Sequence, residues 1–275
     1  MKVYKSKNDI IIEKEGSFRL IKDQDWDKFI NDENLYKKII LVFKSGIHID
    51  QIDFDKIDPP IKSQELWASG VTYFRSKQGR QQESKESGAG QFYDNVYNAL
   101  RPEIFFKASA SRIVGNYGNV RIRKDSDWNV PEPELTLVIT SSGKIIGYTI
   151  GNDMTSRSIE GENPLYLPQA KTYDGCAAIG PCIYVSKGPL KKNLNIYLEI
   201  IRNGEEIFKE GITFDKMKRT SEELVQYLYR ECSFPYGSLL MTGTGIVPPS
   251  DFTLKSRDEI TISIDNIGSL VNTVE

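Results

Sequence analysis

Two glutamates separated by one residue, Glu132 and Glu134, begin the stretch of the chain with the clearest chemical potential. The residues after them alternate like a β-strand, and side chains two apart on a strand point to the same face, about 7 Å from each other. A second predicted strand runs up to Asp153. With a two-residue turn at Ser142-Gly143, the two strands form a hairpin in which Asp153 lies directly opposite Glu132.

This geometry gathers three carboxylates within reach of one cation. Unpaired anions in a partly buried cleft are costly, and a hard divalent metal removes that cost. A ligand set of oxygen atoms, without histidine or cysteine, favours Mg²⁺, with Mn²⁺ or Ca²⁺ as substitutes. The alternative is three solvated carboxylates on a surface hairpin, and a bulge would turn Asp153 to the opposite face. Pro133 and the apolar strands on both sides favour the metal site.

Three further features could contribute to chemistry at such a site. Lys171 could be a cationic partner for a metal-bound anion, or a surface lysine. The segment Thr242-Gly243-Thr244 could offer N–H groups and hydroxyls to a carboxylate, or form a plain tight turn. Glu103, beside an apolar run, could be a proton-transfer carboxyl with a raised pKa, or could pair with Lys107 at the surface.

The elements that carry these residues divide into two predicted domains. Residues 1–60 are expected to form a small N-terminal α+β domain, and residues 61–275 a larger, mostly β domain. The boundary falls at Asp58-Pro59-Pro60, because two prolines hold the chain extended and remove ladder donors. In the first domain the pattern predicts strands at Lys2–Tyr4, Asp9–Glu13 and Ser17–Ile21, a helix at Asp25–Lys38 and an apolar run at Ile39–Phe43.

Local signals in the second domain predict a hairpin, a helix and a loop. Asn203-Gly204 is typical of a type I′ turn, which requires positive φ at both central residues. Thr220-Ser221-Glu222-Glu223 fits a capping box at the start of a helix. The polar stretch Tyr73–Leu100 is expected to be a lid or a solvated loop, with a short helix at its end where Phe92, Val96 and Leu100 recur at helical spacing.

Composition excludes several classes of function. The chain has 275 residues, with 36 Lys and Arg against 38 Asp and Glu, so no single-sign field attracts nucleic acid. No apolar run is long enough to cross a bilayer, and the first residues do not form a signal-peptide core, so we expect a cytoplasmic protein. One histidine, His48, and three cysteines without Cys-x-x-Cys spacing argue against a zinc site.

An ordered set of motifs spans the second domain: Glu132-x-Glu134, Asp153 to Arg157, Lys171-Thr172-Tyr173-Asp174, Gly180-Pro181, Thr242-Gly243-Thr244 and Ile267-Gly268. With this set, residues 65–275 resemble the fumarylacetoacetate hydrolase superfamily. The resemblance implies a mixed β-roll catalytic domain that binds Mg²⁺ through Glu132, Glu134 and Asp153, with Lys171 beside the metal. It also implies a 2-oxo acid as the substrate and a homodimer or homotetramer as the assembly.

Three segments look like one branch of this superfamily, whose members dehydrate 2-keto-3-deoxy-D-arabinonate: Arg101–Lys107, Val130–Leu135 and Glu162–Gln169. This resemblance implies a Mg²⁺-dependent hydro-lyase of oxidative pentose degradation, with 2,5-dioxopentanoate as product. It implies Glu103 and Lys171 as the acid/base candidates, without deciding which is the base. Arg157 and Thr242-Gly243-Thr244 are the expected substrate-binding residues.

The segment Gly70–Lys77 departs from the hydrolase and decarboxylase members, which typically carry a histidine there. Here that histidine is absent, and His48 lies in the other domain. The departure favours dehydration over two rival reactions, acylpyruvate hydrolysis and oxaloacetate decarboxylation. A non-catalytic metal-binding protein on the same fold is a further alternative, against which Glu103 and Lys171 argue.

Overall fold

A computed structural model gives the structure of the chain and describes residues 1–83 and 95–275. Its helices are α1 (Trp26–Ile30), α2 (Leu35–Ser45), α3 (Phe74–Glu83), α4 (Arg157–Glu162), α5 (Leu167–Lys171) and α6 (Ser221–Leu228). The first nine strands are β1 (Lys2–Ser6), β2 (Asp9–Lys14), β3 (Ser17–Ile21), β4 (Ile47–Ile49), β5 (Glu65–Gly70), β6 (Glu103–Ser109), β7 (Ile113–Val114), β8 (Asn119–Val120) and β9 (Asn129–Val130). The others are β10 (Pro133–Ile139), β11 (Ile145–Asp153), β12 (Thr155–Ser156), β13 (Ala177–Tyr184), β14 (Asn195–Arg202), β15 (Glu205–Thr213), β16 (Ser238–Met241), β17 (Glu259–Ile264) and β18 (Gly268–Val274).

The larger sheet is mixed and contains eleven strands within the described ranges. Ten of them follow the order β4-β3-β2-β1-β13-β11-β10-β16-β5-β6, and β7 pairs with β13. Because β10 runs antiparallel to both β11 and β16, its start meets their ends at one edge of the sheet. Strand β5 is parallel to β16, and β6 is antiparallel to β5. The end of β5 and the start of β6 therefore lie at that same edge.

A second sheet, in the order β15-β14-β17-β18-β8, packs against the larger one. Fully buried side chains from both sheets form the core between them, with Leu135 and Ile150 on one side and Leu198 and Ile262 on the other. Fully buried apolar residues alternate along β14 and β17 because successive side chains point to opposite faces. The prediction of an α+β, mostly β chain with mixed sheets is confirmed.

The N-terminal segment contributes strands to the larger sheet. The three predicted strands are present as β1, β2 and β3, and β1 pairs with β13 through the register Lys2 to Tyr184 and Val3 to Ile183. The residues before and after position 60 thus share one sheet. The division into domains at 1–60 and 61–275 stays a prediction.

The single helix predicted at Asp25–Lys38 is wrong, because two helices occupy this region. Asp25 caps α1, accepting a hydrogen bond from the Lys28 N–H at 3.0 Å. Between the helices the Asp32 carboxylate accepts from the Asn34 N–H at 2.8 Å, a local bond of the kind that competes with helix formation. The apolar run Ile39–Phe43 lies within α2.

The turn and cap signals of the second domain are confirmed. Asn203 and Gly204 have φ values of 54° and 82° and join β14 to β15. The Thr220 hydroxyl accepts from the Glu223 N–H at 3.1 Å and caps α6. The expected loop after Tyr73 is instead helical in α3. At the end of the stretch residues 95–98 are helical, as predicted, and Phe92 lies outside the described residues.

The structure also addresses the thiols and the membrane expectation. Cys176 and Cys182 are buried free thiols, and Cys232 is an exposed one. In the described ranges, every helix is too short or too polar to span a bilayer.

Candidate active site

Carboxylates collect where the ends of β11, β16 and β5 meet the starts of β10 and β6. Glu132 immediately precedes β10, Glu134 is its second residue and Asp153 is the last residue of β11. Their exposed fractions are only 4%, 1% and 1%. One oxygen of each carboxylate lies within 4.8 Å of the others. We call these three residues the acidic triad.

The hairpin that carries the triad differs from the prediction in its turn but not in its register. Thr140 and Lys144 close a three-residue loop, with the Thr140 N–H donating to the Lys144 carbonyl at 2.9 Å. Further along, Ile146 is an extra residue in β11, which shifts the pairing by one. The two differences cancel, so the Asp153 N–H donates to the Glu132 carbonyl at 3.0 Å.

Lys171 lies between two members of the triad. Its Nζ donates to Glu132 Oε2 at 2.7 Å and to Asp153 Oδ2 at 2.8 Å. A third bond reaches Thr155 Oγ1 at 2.7 Å. Lys171 is the last residue of α5 and is 1% exposed. The alternative of a surface lysine is therefore wrong.

Lys107 is a second buried lysine at this site. It is fully buried on β6, and its Nζ lies 2.6 Å from Asp153 Oδ1. Surface pairing between Lys107 and Glu103 is therefore wrong. Sequence reasoning missed the role because the alternative it weighed for Lys107 placed this side chain at the surface. Lys107 follows Phe105 by two residues on β6, and this alternation with the apolar run was the available signal.

Arg157 and Glu160 lie on the opposite side of Glu132. Arg157, the first residue of α4, donates from Nη2 to Glu132 Oε1 at 2.6 Å. Its Nη1 lies 3.8 Å from Glu160 Oε2. Glu160 is 2% exposed and adds a fourth buried carboxylate to this site. The sequence reasoning missed it. Its spacing of three residues from Arg157 on a helix was the available signal.

The segment Thr242-Gly243-Thr244 follows β16 and contacts the triad through its backbone. The Gly243 N–H donates to Glu134 Oε2. The Thr242 hydroxyl donates to the Leu135 carbonyl at 2.9 Å, and the Thr244 hydroxyl accepts from the Ile246 N–H at 3.2 Å. The Gly243 contact orients Glu134, and the two hydroxyl contacts hold the segment in place. The assignment of the segment to substrate binding stays a prediction.

Glu103 begins β6, opposite Gly70. Its carboxylate lies over Gly70 so closely that a Cβ there would stand 2.2 Å from Glu103 Oε2. Glu103 and Phe105 are two apart on the strand and share a face, and the Phe105 ring lies 5.5 Å from Lys171 Nζ. Glu103 thus faces the side on which Lys171 lies, and it is half-buried.

The electrostatics of the site centre on Glu134. Burial, with Asp153 and Glu132 close by, raises the pKa of Glu134 well above its ordinary value. Burial and the charge of Glu134 also raise the pKa of Tyr73. The Tyr73 hydroxyl is buried and has no hydrogen-bond partner among the described residues.

This arrangement combines two chemical capacities. Three buried carboxylates close enough to share one ion form an oxygen donor set suited to a hard divalent cation. Lys171 and Glu103, on the same side of the sheet, are groups able to move protons. A site with both can bind an anionic oxo acid and abstract a proton next to its carbonyl group.

Comparisons with known proteins agree with this geometry. The family described as Fumarylacetoacetate (FAA) hydrolase C-terminal matches residues 72–275. A 2-dehydro-3-deoxy-D-arabinonate dehydratase of Saccharolobus solfataricus is 45% identical over 237 residues, which cover 85% of this chain and 79% of that protein. A probable 2-keto-3-deoxyxylonate dehydratase of Haloferax volcanii is 45% identical over 216 residues, which cover 78% and 73%.

Solved structures extend the likeness to the whole chain. The structure of 2-keto-3-deoxy-D-arabinonate dehydratase complexed with magnesium and 2,5-dioxopentanoate is 37% identical. It matches with a TM-score of 0.85 and covers 100% of this chain and 99% of the other. A fumarylacetoacetate hydrolase from Exiguobacterium antarcticum, at 21% identity and a TM-score of 0.70, shares the fold. The predicted β-roll fold is confirmed.

Proposed function

The chain belongs to the fumarylacetoacetate hydrolase family, and from this membership we propose that it is a Mg²⁺-dependent dehydratase of a 2-keto-3-deoxy pentonate. The substrate is 2-keto-3-deoxy-D-arabinonate and the product is 2,5-dioxopentanoate, as in the complexed relative. The observation that carries the proposal is the acidic triad with Lys171 between two of its members. This reaction makes the protein a lyase, and we assign it to oxidative pentose degradation.

The residues present fit the metal. Glu132, Glu134 and Asp153 would hold Mg²⁺ through carboxylate oxygens, its preferred ligands. The raised pKa of Glu134 reflects burial and neighbouring negative charge, a condition that a bound cation relieves. Bound Mg²⁺ would supply a Lewis acid that polarises the 2-oxo group and makes the adjacent C–H more acidic.

The protein's own groups carry the proton transfers. Glu103 and Lys171 divide two steps between them: one removes the proton from C3, and the other gives a proton to the C4 hydroxyl as it leaves as water. Lys171, held by Glu132 and Asp153, also balances negative charge that develops on the substrate. Tautomerisation of the unsaturated product then gives the aldehyde.

Substrate binding falls to groups around the triad. Thr242-Gly243-Thr244 is assigned to the carboxylate end of the substrate. Arg157 is assigned to the same anionic group, a role added to its contact with Glu132. A cytoplasmic location, which is the expectation from the sequence, and assembly as a homodimer or homotetramer, which the family resemblance implies, complete the proposal.

Turnover with and without metal tests the reaction. We expect the protein to convert 2-keto-3-deoxy-D-arabinonate to 2,5-dioxopentanoate, followed by mass spectrometry, with activity lost in EDTA and restored by Mg²⁺. Glu132→Gln should abolish turnover. Glu199→Gln, the same chemical change at a carboxylate that pairs with Lys209 on the second sheet, should leave it unchanged.

The same protein preparation tests the two rival reactions. Acylpyruvate and oxaloacetate are offered to the same preparation, and we expect no cleavage or decarboxylation of either. Full activity of Glu132→Gln would refute the metal-centred mechanism. Turnover of either rival substrate without dehydration of the sugar acid would replace the proposed function with that reaction.

A further inference from the structure

Lys107 lies at an irregularity in β6. Leu66 of β5 pairs with Ala108, whereas the next residue, Trp67, pairs with Phe106. Lys107 is therefore the extra residue of a β-bulge, a feature that redirects a side chain. It is fully buried, and its ammonium contacts a carboxylate and two backbone carbonyls.

The contacts of that ammonium join the two elements that carry the site. Lys107 Nζ lies 2.6 Å from Asp153 Oδ1 and donates to the Met154 carbonyl at 2.9 Å, at the end of β11. It also donates to the carbonyl of Lys171, the last residue of α5. A carbonyl at a helix C-terminus lacks an intrahelical partner, and a cation stabilises it.

We propose that Lys107 is a positioning residue for the reaction. Its ammonium binds groups at the end of β11 and at the end of α5, and it thereby holds Lys171 in a fixed position relative to Asp153. The inference rests on the proposed function, because Lys171 acts on the substrate only if the dehydratase mechanism holds. Nothing in this role requires Lys107 to touch substrate or metal.

The direction in which metal affinity changes when Lys107 is replaced distinguishes a positioning residue from a residue that helps to form the metal site. A cation next to a ligand carboxylate opposes the approach of a second cation. Removing the Lys107 charge therefore does not weaken metal binding by electrostatics. Displacement of Lys171 lowers the rate of the chemical step, since an error of about 1 Å in the placement of a reacting group costs up to about 100-fold.

The experiment uses Lys107→Met, which keeps the length of the side chain and removes its charge. We expect kcat for 2-keto-3-deoxy-D-arabinonate at saturating Mg²⁺ to fall roughly 10- to 100-fold. KM should stay within about threefold of the parent, since the ammonium of Lys107 is engaged by Asp153 and two backbone carbonyls and contributes no substrate contact in the proposed role. The dissociation constant of Mn²⁺, measured by electron paramagnetic resonance without substrate, should be equal to or lower than that of the parent.

A matched control removes a cation from another buried carboxylate. Arg202→Met deprives Asp258, which is fully buried, of its two 2.7 Å contacts on the second sheet. This variant should keep the parent kcat and Mn²⁺ affinity. If Lys107→Met does not fold by circular dichroism, Lys107→Gln is measured in its place.

Several outcomes would overturn the inference. A folded variant with the parent kcat removes the positioning role. A loss of Mn²⁺ affinity in step with kcat assigns Lys107 to the metal site, and failure of both variants to fold assigns it to the core. Absence of Mn²⁺ binding or turnover in the parent would refute the proposed function itself.

Discussion

Three buried carboxylates coexist at this site because most of their oxygens face a cation. Lys171 contacts Glu132 and Asp153, and Arg157 contacts Glu132. Lys107 adds a contact to Asp153. Burial of a charge is costly unless it is paired, and Glu134 accepts a hydrogen bond from a backbone N–H. Within the triad, Glu134 therefore has the greatest unmet demand for positive charge.

This imbalance predicts how metal and Glu134 affect stability. Mg²⁺ that binds only the folded chain should raise the free energy of unfolding by about 2.7 kcal/mol when its free concentration is 100 times the dissociation constant. Glu134→Gln removes a buried negative charge, so the metal-free variant should be at least as stable as the parent. The Mg²⁺ increment should disappear in this variant. Urea titrations with EDTA and with Mg²⁺ measure both quantities.

The prediction has a control among the carboxylates of the second sheet. Glu199→Gln should keep the full Mg²⁺ increment, because Glu199 lies on β14, away from the triad. An equal increment in Glu134→Gln and in the parent would mean that Glu134 does not hold the cation.

At the scale of elements, the β14–β15 hairpin depends on one backbone conformation. Gly204 has a φ of 82°, and a Cβ there would meet no atom within 4 Å. Gly204→Ala therefore tests conformation without a clash. We expect it to lower the free energy of unfolding by roughly 1–2 kcal/mol, the cost of a left-handed residue with a side chain, in urea denaturation.

Gly188 supplies the matched control for this substitution. A Cβ at Gly188 also meets no atom within 4 Å, and no positive φ constrains it. Gly188→Ala should be neutral or stabilising by up to about 1 kcal/mol, since alanine reduces the entropy of the unfolded chain. Equal losses at both positions would contradict the conformational explanation.

Elements with a local chemical cause could be predicted from sequence, and elements set by packing could not. The Asn203-Gly204 turn and the Thr220 cap depend on residues within four positions, and both are confirmed. The three-residue loop before Lys144 and the bulge at Ile146 depend on how β11 packs between β10 and β13. The correct register of the triad therefore followed from two compensating errors.

The same distinction applies to residues of the site. The carboxylates were recognisable because residue type and spacing fix their chemistry. Lys107 required knowledge that the end of β11 and the end of α5 pack against β6. Prediction of Glu160 as a site residue would have required the knowledge that α4 packs beside the triad. The split between α1 and α2 reflects local bonds of Asp32, which apolar periodicity alone does not report.

At the scale of the whole molecule, the N-terminal residues and the rest of the chain share one hydrophobic core. Val3, Ile12 and Ile39 pack in the same cluster as Leu66 and Ile183. Strand β1 pairs with β13, and β13 pairs with β11, which carries Asp153. The prolines at 59 and 60 interrupt local structure, while packing continues across them.

This shared core predicts the behaviour of the fragment 61–275. Removing residues 1–60 exposes the edge of β13 and the apolar side chains that Val3, Ile12 and Ile39 cover, and such surface favours association over folding. We therefore expect the fragment to lack a cooperative urea transition and dehydratase activity. Co-expression with residues 1–60 should restore both, because the contacts, and not the peptide bond at 60–61, hold the parts together. A fragment that unfolds cooperatively and dehydrates the sugar acid alone would instead support two independent domains.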